Sequence, residues 1–512
     1  MTGQRIDDGA ANLPHWVGHP HGLAPLSRLR PGGRFGDDLG RSHRLGFLRF
    51  GVEVLRHALF LVLDAAERLL VTLLAGLGRG VSLPLRPSGD GPLVLVLPVL
   101  PDLSHTFVYR EVLALRARRR DVVVVALERG SSAVLHPEAA ALLPETRFLP
   151  RRGVLGRLAC MLGHALRHPR RVGNLARLYA GEPGGPAAVL CGKLPLREAR
   201  HPGRAFELAA LLAPLRPSEI HAYGSTWSAN VALGAALLLE IPWSLSSYVD
   251  FEFDYAHRML ATKFATARFF RVCTRDCVRR LVDLLDLPEA AQERIPVIHW
   301  GVDAEALRQR PTPAPPFAAH ASVRLISACR VVPKKGVQVV PNLVALLRAR
   351  GIDAEWTLIG DGPELGAVRD AAERARVVAH CHFAGPLPND RVLDAIERSD
   401  VAILPCVEVE GGERDGIPVF LVEAMALGRL VVTTAVSGIP ELVVDGVTGV
   451  LAAADPEALA SAIAALVAGP ERALAIAARG RERALIGEDC ATAAAALLVR
   501  LGAVEGGAQT PN

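Results

Sequence analysis

Two carboxylates, Asp415 and Glu423, bracket the segment Asp-Gly-Ile-Pro-Val-Phe-Leu-Val-Glu about two helical turns apart. Pro418 suits a first helical turn, where its missing N–H would have had no intrahelical partner. The N–H groups of Val419 and Phe420 then form a helix mouth at which peptide dipoles favour an anion. Gly416 and Ile417 make the turn into that mouth. Glu423 follows one to two turns along an amphipathic helix expected to run to Gly428. A phosphate at the mouth, flanked by acids that bind hydroxyls, is the footprint of a nucleotide-sugar site.

Cations that could complete such a site lie upstream, in Arg330-Val-Val-Pro-Lys334-Lys335-Gly336. Arg330 and Lys335 fall in a strand-to-helix loop and could neutralise a diphosphate that gains charge as it leaves. Alone they read equally as surface cations; the Asp415–Glu423 segment favours the functional reading. Gly360-Asp-Gly-Pro-Glu364 makes a sharp turn that structure alone could demand, and it lacks a dinucleotide fingerprint. His382-Phe-Ala-Gly-Pro-Leu387 ends the next strand, where its backbone, Leu387 included, either flanks a nucleobase or is a plain turn.

The elements that must position these groups are apolar runs alternating with helical periods from residue 93 onward, the pattern of parallel α/β architecture. One series covers Leu93–Val99, Val122–Leu127, Glu219–Tyr223, Trp243–Tyr248 and Arg294–His299. A second covers Val323–Cys329, Glu355–Ile359, His380–Ala384, Val401–Leu404, Leu430–Thr434 and Gly449–Leu451. Two doubly wound, Rossmann-like domains facing each other across a cleft are expected, at 91–308 and 320–485. Proline-rich residues 309–319 connect them, and a C-terminal helix and tail fill 486–512. Ligands in such sheets bind beyond the carboxyl ends of the strands.

The 512 residues are 50% hydrophobic and 22% charged, a globular balance. A net charge of +5, from 58 basic and 53 acidic residues, gives no case for nucleic acid. Arginine clusters at 116–120 and 167–171 read as solvated surface or as a face for an anionic membrane or acceptor. Eight scattered cysteines lack zinc-site spacing and suit a reducing, cytoplasmic compartment. Residues 1–45, rich in Gly, Pro, His and Arg, read as a disordered tail without a signal-peptide core. Residues 46–90 read as a helical extension. Its apolar runs are interrupted by Asp64, Glu67 and Arg68, which argues against a membrane span, so it packs on the protein's surface or lies in a membrane interface.

Taken in order, Arg330…Lys335-Gly336, Gly360-Asp-Gly-Pro-Glu364, Phe383-Ala-Gly385, Asp415-Gly-Ile-Pro418…Glu423-Ala-Met-Ala426 and Ser437-Gly-Ile-Pro-Glu441 resemble the group 1 retaining glycosyltransferases of the GT-B fold. Ser104-His-Thr106-Phe-Val108…Glu111 looks like the first-loop motif of the exopolysaccharide branch of that family. The resemblance implies that Arg330 and Lys335 hold a donor diphosphate, that Glu423 binds ribose and that Asp415 binds the donor sugar, where the family usually has glutamate. It also implies retention by front-side displacement, with no cofactor and no metal; no Asp-x-Asp pair occurs in a suitable loop. Where relatives carry a supporting histidine, this chain has Tyr248, a phenol that donates a hydrogen bond but is not cationic. Ser104, Thr106, Tyr248 and Asp250 are acceptor-side candidates. Asp250 and Glu252 either act on the acceptor or are solvated loop acids, and His221 and His257 read as structural. The expected partners are a nucleotide-diphosphate sugar and a saccharide or lipid-linked acceptor. A degenerate relative that binds nucleotide sugars without turnover is the alternative. A nicotinamide enzyme is excluded by the strand end Leu97-Pro-Val-Leu-Pro-Asp102, which has no glycine fingerprint.

Overall fold

Valine- and leucine-rich runs without polar alternation form strands covered on both faces, as a parallel sheet requires. The computed structural model describes residues 91–502 apart from 103–104, 120, 132–134, 182–201, 251, 312–315 and 318–321. The expected tail and extension at 1–90 and the candidate Ser104 lie outside the described residues. Strands β1 (Leu93–Leu100), β2 (Val122–Arg129), β3 (Arg147–Phe148), β4 (Glu219–Tyr223), β5 (Trp243–Ser246) and β6 (Phe270–Arg271) form one sheet in the order 3-2-1-4-5-6. Its neighbouring strands are parallel. Strands β7 (Val323–Ala328), β8 (Ala354–Ile359), β9 (Cys381–Gly385), β10 (Val401–Leu404), β11 (Leu430–Thr433) and β12 (Val450–Leu451) form a second, ordered 12-11-10-7-8-9. It too is parallel throughout. Counted within each domain the two orders are the same, so both sheets reverse direction beside their first strand, at β1/β4 and β7/β10. Those switch points open the crevices where such sheets bind ligands.

The helices used below are α1 (Thr106–Arg118), α2 (Val154–Arg167), α3 (Pro169–Gly181), α4 (Val419–Ala426) and α5 (Cys490–Arg500). Helix α1 follows β1 and carries Glu111 inward. There its Oε1 accepts from Arg271 Nη1 at 2.7 Å and from the Tyr223 hydroxyl at 2.8 Å, with Arg271 wholly buried over the Trp300 ring. Glu111, part of the first-loop motif, is therefore a structural acid.

Two expectations change. Residues 294–299 are not a strand: a 3₁₀ turn covers Glu289–Arg294, and only Val297 bridges to Val272. Pro296 supplies no N–H for a ladder, which keeps the run to one contact at a sheet edge. The change of core falls at Gly301, upstream of the proline-rich 309–319. Trp300 packs in the first core, whereas Val302, Ala304 and Leu307 pack in the second. The C-terminal helix α5 falls within the expected 486–512, and Ala494, Leu497 and Leu498 bury its apolar face in the first core.

The chain thus crosses between domains twice, and the crossings touch. Val302 N–H donates to Glu488 O, and Cys490 N–H donates to Val302 O, each at 2.8 Å. A Cβ on Gly301 would stand 2.4 Å from Cys490 N, so only glycine fits there. Beside this junction His299 Nδ1 faces Glu488 Oε1 at 3.0 Å, and Nε2 faces Glu441 Oε2 of the second domain at 3.3 Å. Burial pulls its pKa down, but hydrogen bonds to both acids override that and raise it to about 9.

The folded pKa lies above the unfolded value of about 6.5. The charged bridge therefore contributes its full stability below pH ~6.5 and loses it as pH rises through about 9. Thermal melts should show wild type losing Tm relative to His299→Gln across that alkaline window. Parallel curves would remove His299 from the linkage.

Candidate functional site

At the switch point of the second sheet, the loop after β7 and the loop after β10 meet. Lys335 Nζ lies 2.6 Å from Asp415 Oδ2, and Lys334 Nζ lies 3.5 Å from Asp415 Oδ1 and 3.1 Å from Glu413. Burial would raise the Asp415 carboxyl, but the two ammonium groups hold it down at about 2. Burial likewise works against the Lys335 charge, and Asp415 overrides it, so its pKa is raised. Arg330 is within electrostatic reach of Asp415, Glu413 and, from the first domain, Asp102, while burial lowers its pKa. The site therefore holds a compact knot of cations around one ionised acid.

The glycine turn at 360–364 props up this knot. A Cβ on Gly360, at φ +127°, would fall 1.9 Å from Cys329 O. Val331 N–H donates to Asp361 O at 2.9 Å, which fixes the loop that carries Arg330. The turn is a scaffold.

Pro418 is the N-cap of α4, one position earlier than the expected first-turn place, and the helix ends at Ala426. Val419 and Phe420 open its first turn, where backbone N–H groups have no intrahelical acceptor. A Cβ on Gly416 would come 3.4 Å from Cys273 Sγ and 3.6 Å from Val249 Cγ1 of the first domain, and Leu387 lies half-buried against the second core.

Glu423 is held more tightly than the sequence suggests. Its Oε1 pairs with Arg110 Nη1 at 3.0 Å and accepts from Asn389 Nδ2 at 2.9 Å. Arg110, on α1 of the first domain, also donates to Glu138 at 3.1 Å and to Asn389 Oδ1 at 2.6 Å. One buried guanidinium thus ties the first domain to Glu423 of the second. Sequence reasoning missed Arg110, although it lies inside the Ser104–Glu111 motif. Nothing local marks Asn389.

On the first-domain side, Thr106 opens α1 next to buried His105, which senses the Arg330 charge. Tyr248 sits among His105, Phe107 and Trp300 at ring separations of 5.1, 5.6 and 5.9 Å. Burial pushes its pKa well above 10, so it is a neutral phenol. Its hydroxyl is buried without a hydrogen-bond partner among the described residues.

Asp250 is neither solvated nor facing an open groove: buried, it pairs with Arg414 of the second domain, which also reaches Glu408 at 2.9 Å. Glu252 is a loop cap, accepting from Ser225 N–H at 3.0 Å, Ser225 Oγ at 2.8 Å and Tyr248 N–H at 3.2 Å. His221 lies between Ser244 and Ser246 at 2.9 and 2.8 Å, its pKa driven by burial to about 3, a structural role. The His257 side chain lies outside the described residues.

Residues 322–469 match the family model described as Glycosyl transferases group 1. A putative colanic acid biosynthesis glycosyltransferase, WcaL, of Salmonella typhimurium is 35% identical over 176 residues, covering 34% of this chain and 42% of the relative. A GDP-mannose-dependent alpha-(1-6)-phosphatidylinositol monomannoside mannosyltransferase of Mycolicibacterium smegmatis is 31% identical over 208 residues, covering 39% and 53%. The chain therefore spans about half or less of these relatives. Among solved structures, Anabaena HepE in complex with UDP and glucose superposes with a TM-score of 0.58 at 14% identity, over 81% of this chain and 100% of that one. Sucrose-phosphate synthase of Thermosynechococcus elongatus gives 0.56 at 16%, over 80% and 99%. The fold is the two-domain GT-B arrangement, and residues 322–469 are similar to the group 1 glycosyl transferases.

Removing the Arg110 charge strands Glu423. Arg110→Met should cost about 3–5 kcal/mol of stability, and adding Glu423→Gln should return about 1–3 kcal/mol through their coupling. Urea midpoints of the two single variants and the double variant test this; strictly additive losses would show that the pair does not interact.

Proposed function

We propose that this chain is a retaining glycosyltransferase. It moves a sugar from a nucleotide-diphosphate donor to a saccharide or lipid-linked acceptor, in the cytoplasm or at the inner face of a membrane, for exopolysaccharide or glycolipid synthesis. The observation that carries the reading is the Lys335–Asp415 pair, backed by Lys334 and Arg330, at the switch point of the second sheet. An ammonium has three donors, so Lys335 can keep Asp415 with one and offer the others to phosphate. Fixed cations and the α4 amides then meet the charge that develops on the departing diphosphate, without reorganising at the moment of reaction. Asp415, kept ionised, accepts from donor-sugar hydroxyls, and Glu423, oriented by Arg110 and Asn389, accepts from the ribose.

The relatives support the class: one is described as GDP-mannose-dependent, another as acting in colanic acid biosynthesis, and HepE was crystallised with UDP and glucose. Seven described cysteines are free thiols, in keeping with a reducing compartment. Retention and independence of metal rest on the family resemblance.

A thermal-shift screen over nucleotide sugars identifies the donor, which should add about 2.7 kcal/mol at a hundred times its Kd. With that donor, Arg330→Ala and Lys335→Ala should each lower turnover on the order of a hundredfold or more. Undiminished turnover would sink the assignment, and tight binding by wild type without turnover on any acceptor would favour the degenerate binder. Tyr248→Phe should leave Tm unchanged or raised, because it removes an unpaired buried hydroxyl. If the phenol holds a substrate through one hydrogen bond, kcat falls about tenfold in the same variant.

A further inference from the structure

Helix α2 is apolar on two faces. One packs inward through buried Met161, with Leu158 and Ala165 partly buried against the first core. The other carries Leu155, Leu162 and Leu166, which are 73%, 48% and 85% exposed, with exposed Ala159 in the same row. At about 100° per residue, positions 155, 159, 162 and 166 fall within a sector of roughly 60°. The row runs roughly 16 Å along the helix. Leucines exposed singly need no explanation, but an aligned row does.

The charge on the segment that carries this row has one sign. From Thr146 to Gly181 the chain has eight arginines and no aspartate or glutamate. Arg151 and Arg152 are exposed just before α2, and Arg167, His168 and Arg170 just after its last leucine. Nearby acids are engaged or buried: Glu145 pairs with Arg116, Glu240 with Arg171 at 2.5 Å and Glu128 with Arg204 at 3.1 Å, and Glu207 is buried. Exposed leucines bounded at both ends by arginines match a surface that is apolar beneath and anionic on top.

We propose that the outward face of α2, with the start of α3, docks onto an anionic lipid surface. The leucines enter the boundary between headgroups and acyl chains, and the arginines lie against lipid phosphates. A protein partner would need acids at both ends of an apolar groove, whereas a fluid anionic leaflet supplies both by rearrangement. The inference does not depend on the sugar-transfer reading, because adsorption to vesicles needs neither donor nor turnover.

The test is co-sedimentation of the full chain with phosphatidylcholine vesicles and with equimolar phosphatidylcholine–phosphatidylglycerol vesicles, at low and high salt. Wild type should bind the anionic vesicles alone and weaken with salt. Each of Arg167→Gln and Arg170→Gln should weaken binding about fivefold, and Leu155→Asp with Leu166→Asp tenfold or more. Melting temperatures should not change, since these side chains face solvent. Equal binding to neutral vesicles, absence of binding, or α2 variants that bind like wild type would overturn the proposal; the last result would assign attachment elsewhere, residues 46–80 included. A wild-type oligomer that becomes monomeric in the leucine variant while vesicle binding persists would also overturn it, making the row an interface between copies.

Discussion

The contact on which the rest of the site depends is the buried Lys335–Asp415 pair. Taking an ammonium and a carboxylate out of water costs more than their mutual attraction returns unless other groups satisfy them. The surrounding loops supply those groups: Lys334 reaches Asp415 from the adjacent position, Glu413 answers Lys334, and Arg330 lies within range of both acids. Such a cluster belongs where two parallel strands diverge, because there the loops leave the sheet in opposite directions and leave a crevice.

A second set of charges fixes the domains to each other. Arg110 reaches Glu423 and Asn389, Arg414 reaches Asp250, and His299 reaches Glu441. Each link joins a first-domain group to a segment that ends in or adjoins the candidate site. The candidate site and the domain interface therefore share side chains. A ligand that engages Glu423 changes the surroundings of Arg110, and with them the interface.

Much of this was legible in one dimension. The apolar runs name the strands because a parallel sheet buries both faces, leaving little room for polar alternation. Arg330 and Lys335 were readable because they closely follow a strand, with proline and glycine nearby, and Asp415 because Gly416 and Pro418 lead from it into a helix. The roles of acids in the first domain were less legible. Glu111 lies in a recognisable motif yet is buried against Arg271 and Tyr223, and Glu252 caps its own loop. A carboxylate in sequence does not reveal whether it faces solvent, a ligand or a partner far along the chain.

The sequence by itself determined the two α/β domains, the strand-end loops and the groups that bear charge in them. Those follow from local periodicity and from turns only certain residues allow. Tertiary structure alone decided that Glu423 is gripped from the other domain, that Asp250 answers Arg414, that α5 belongs to the first core, and that α2 leaves a leucine row outside. Each depends on which faces pack together, and packing joins residues such as Arg110 and Asn389, 279 positions apart, with no trace in local pattern.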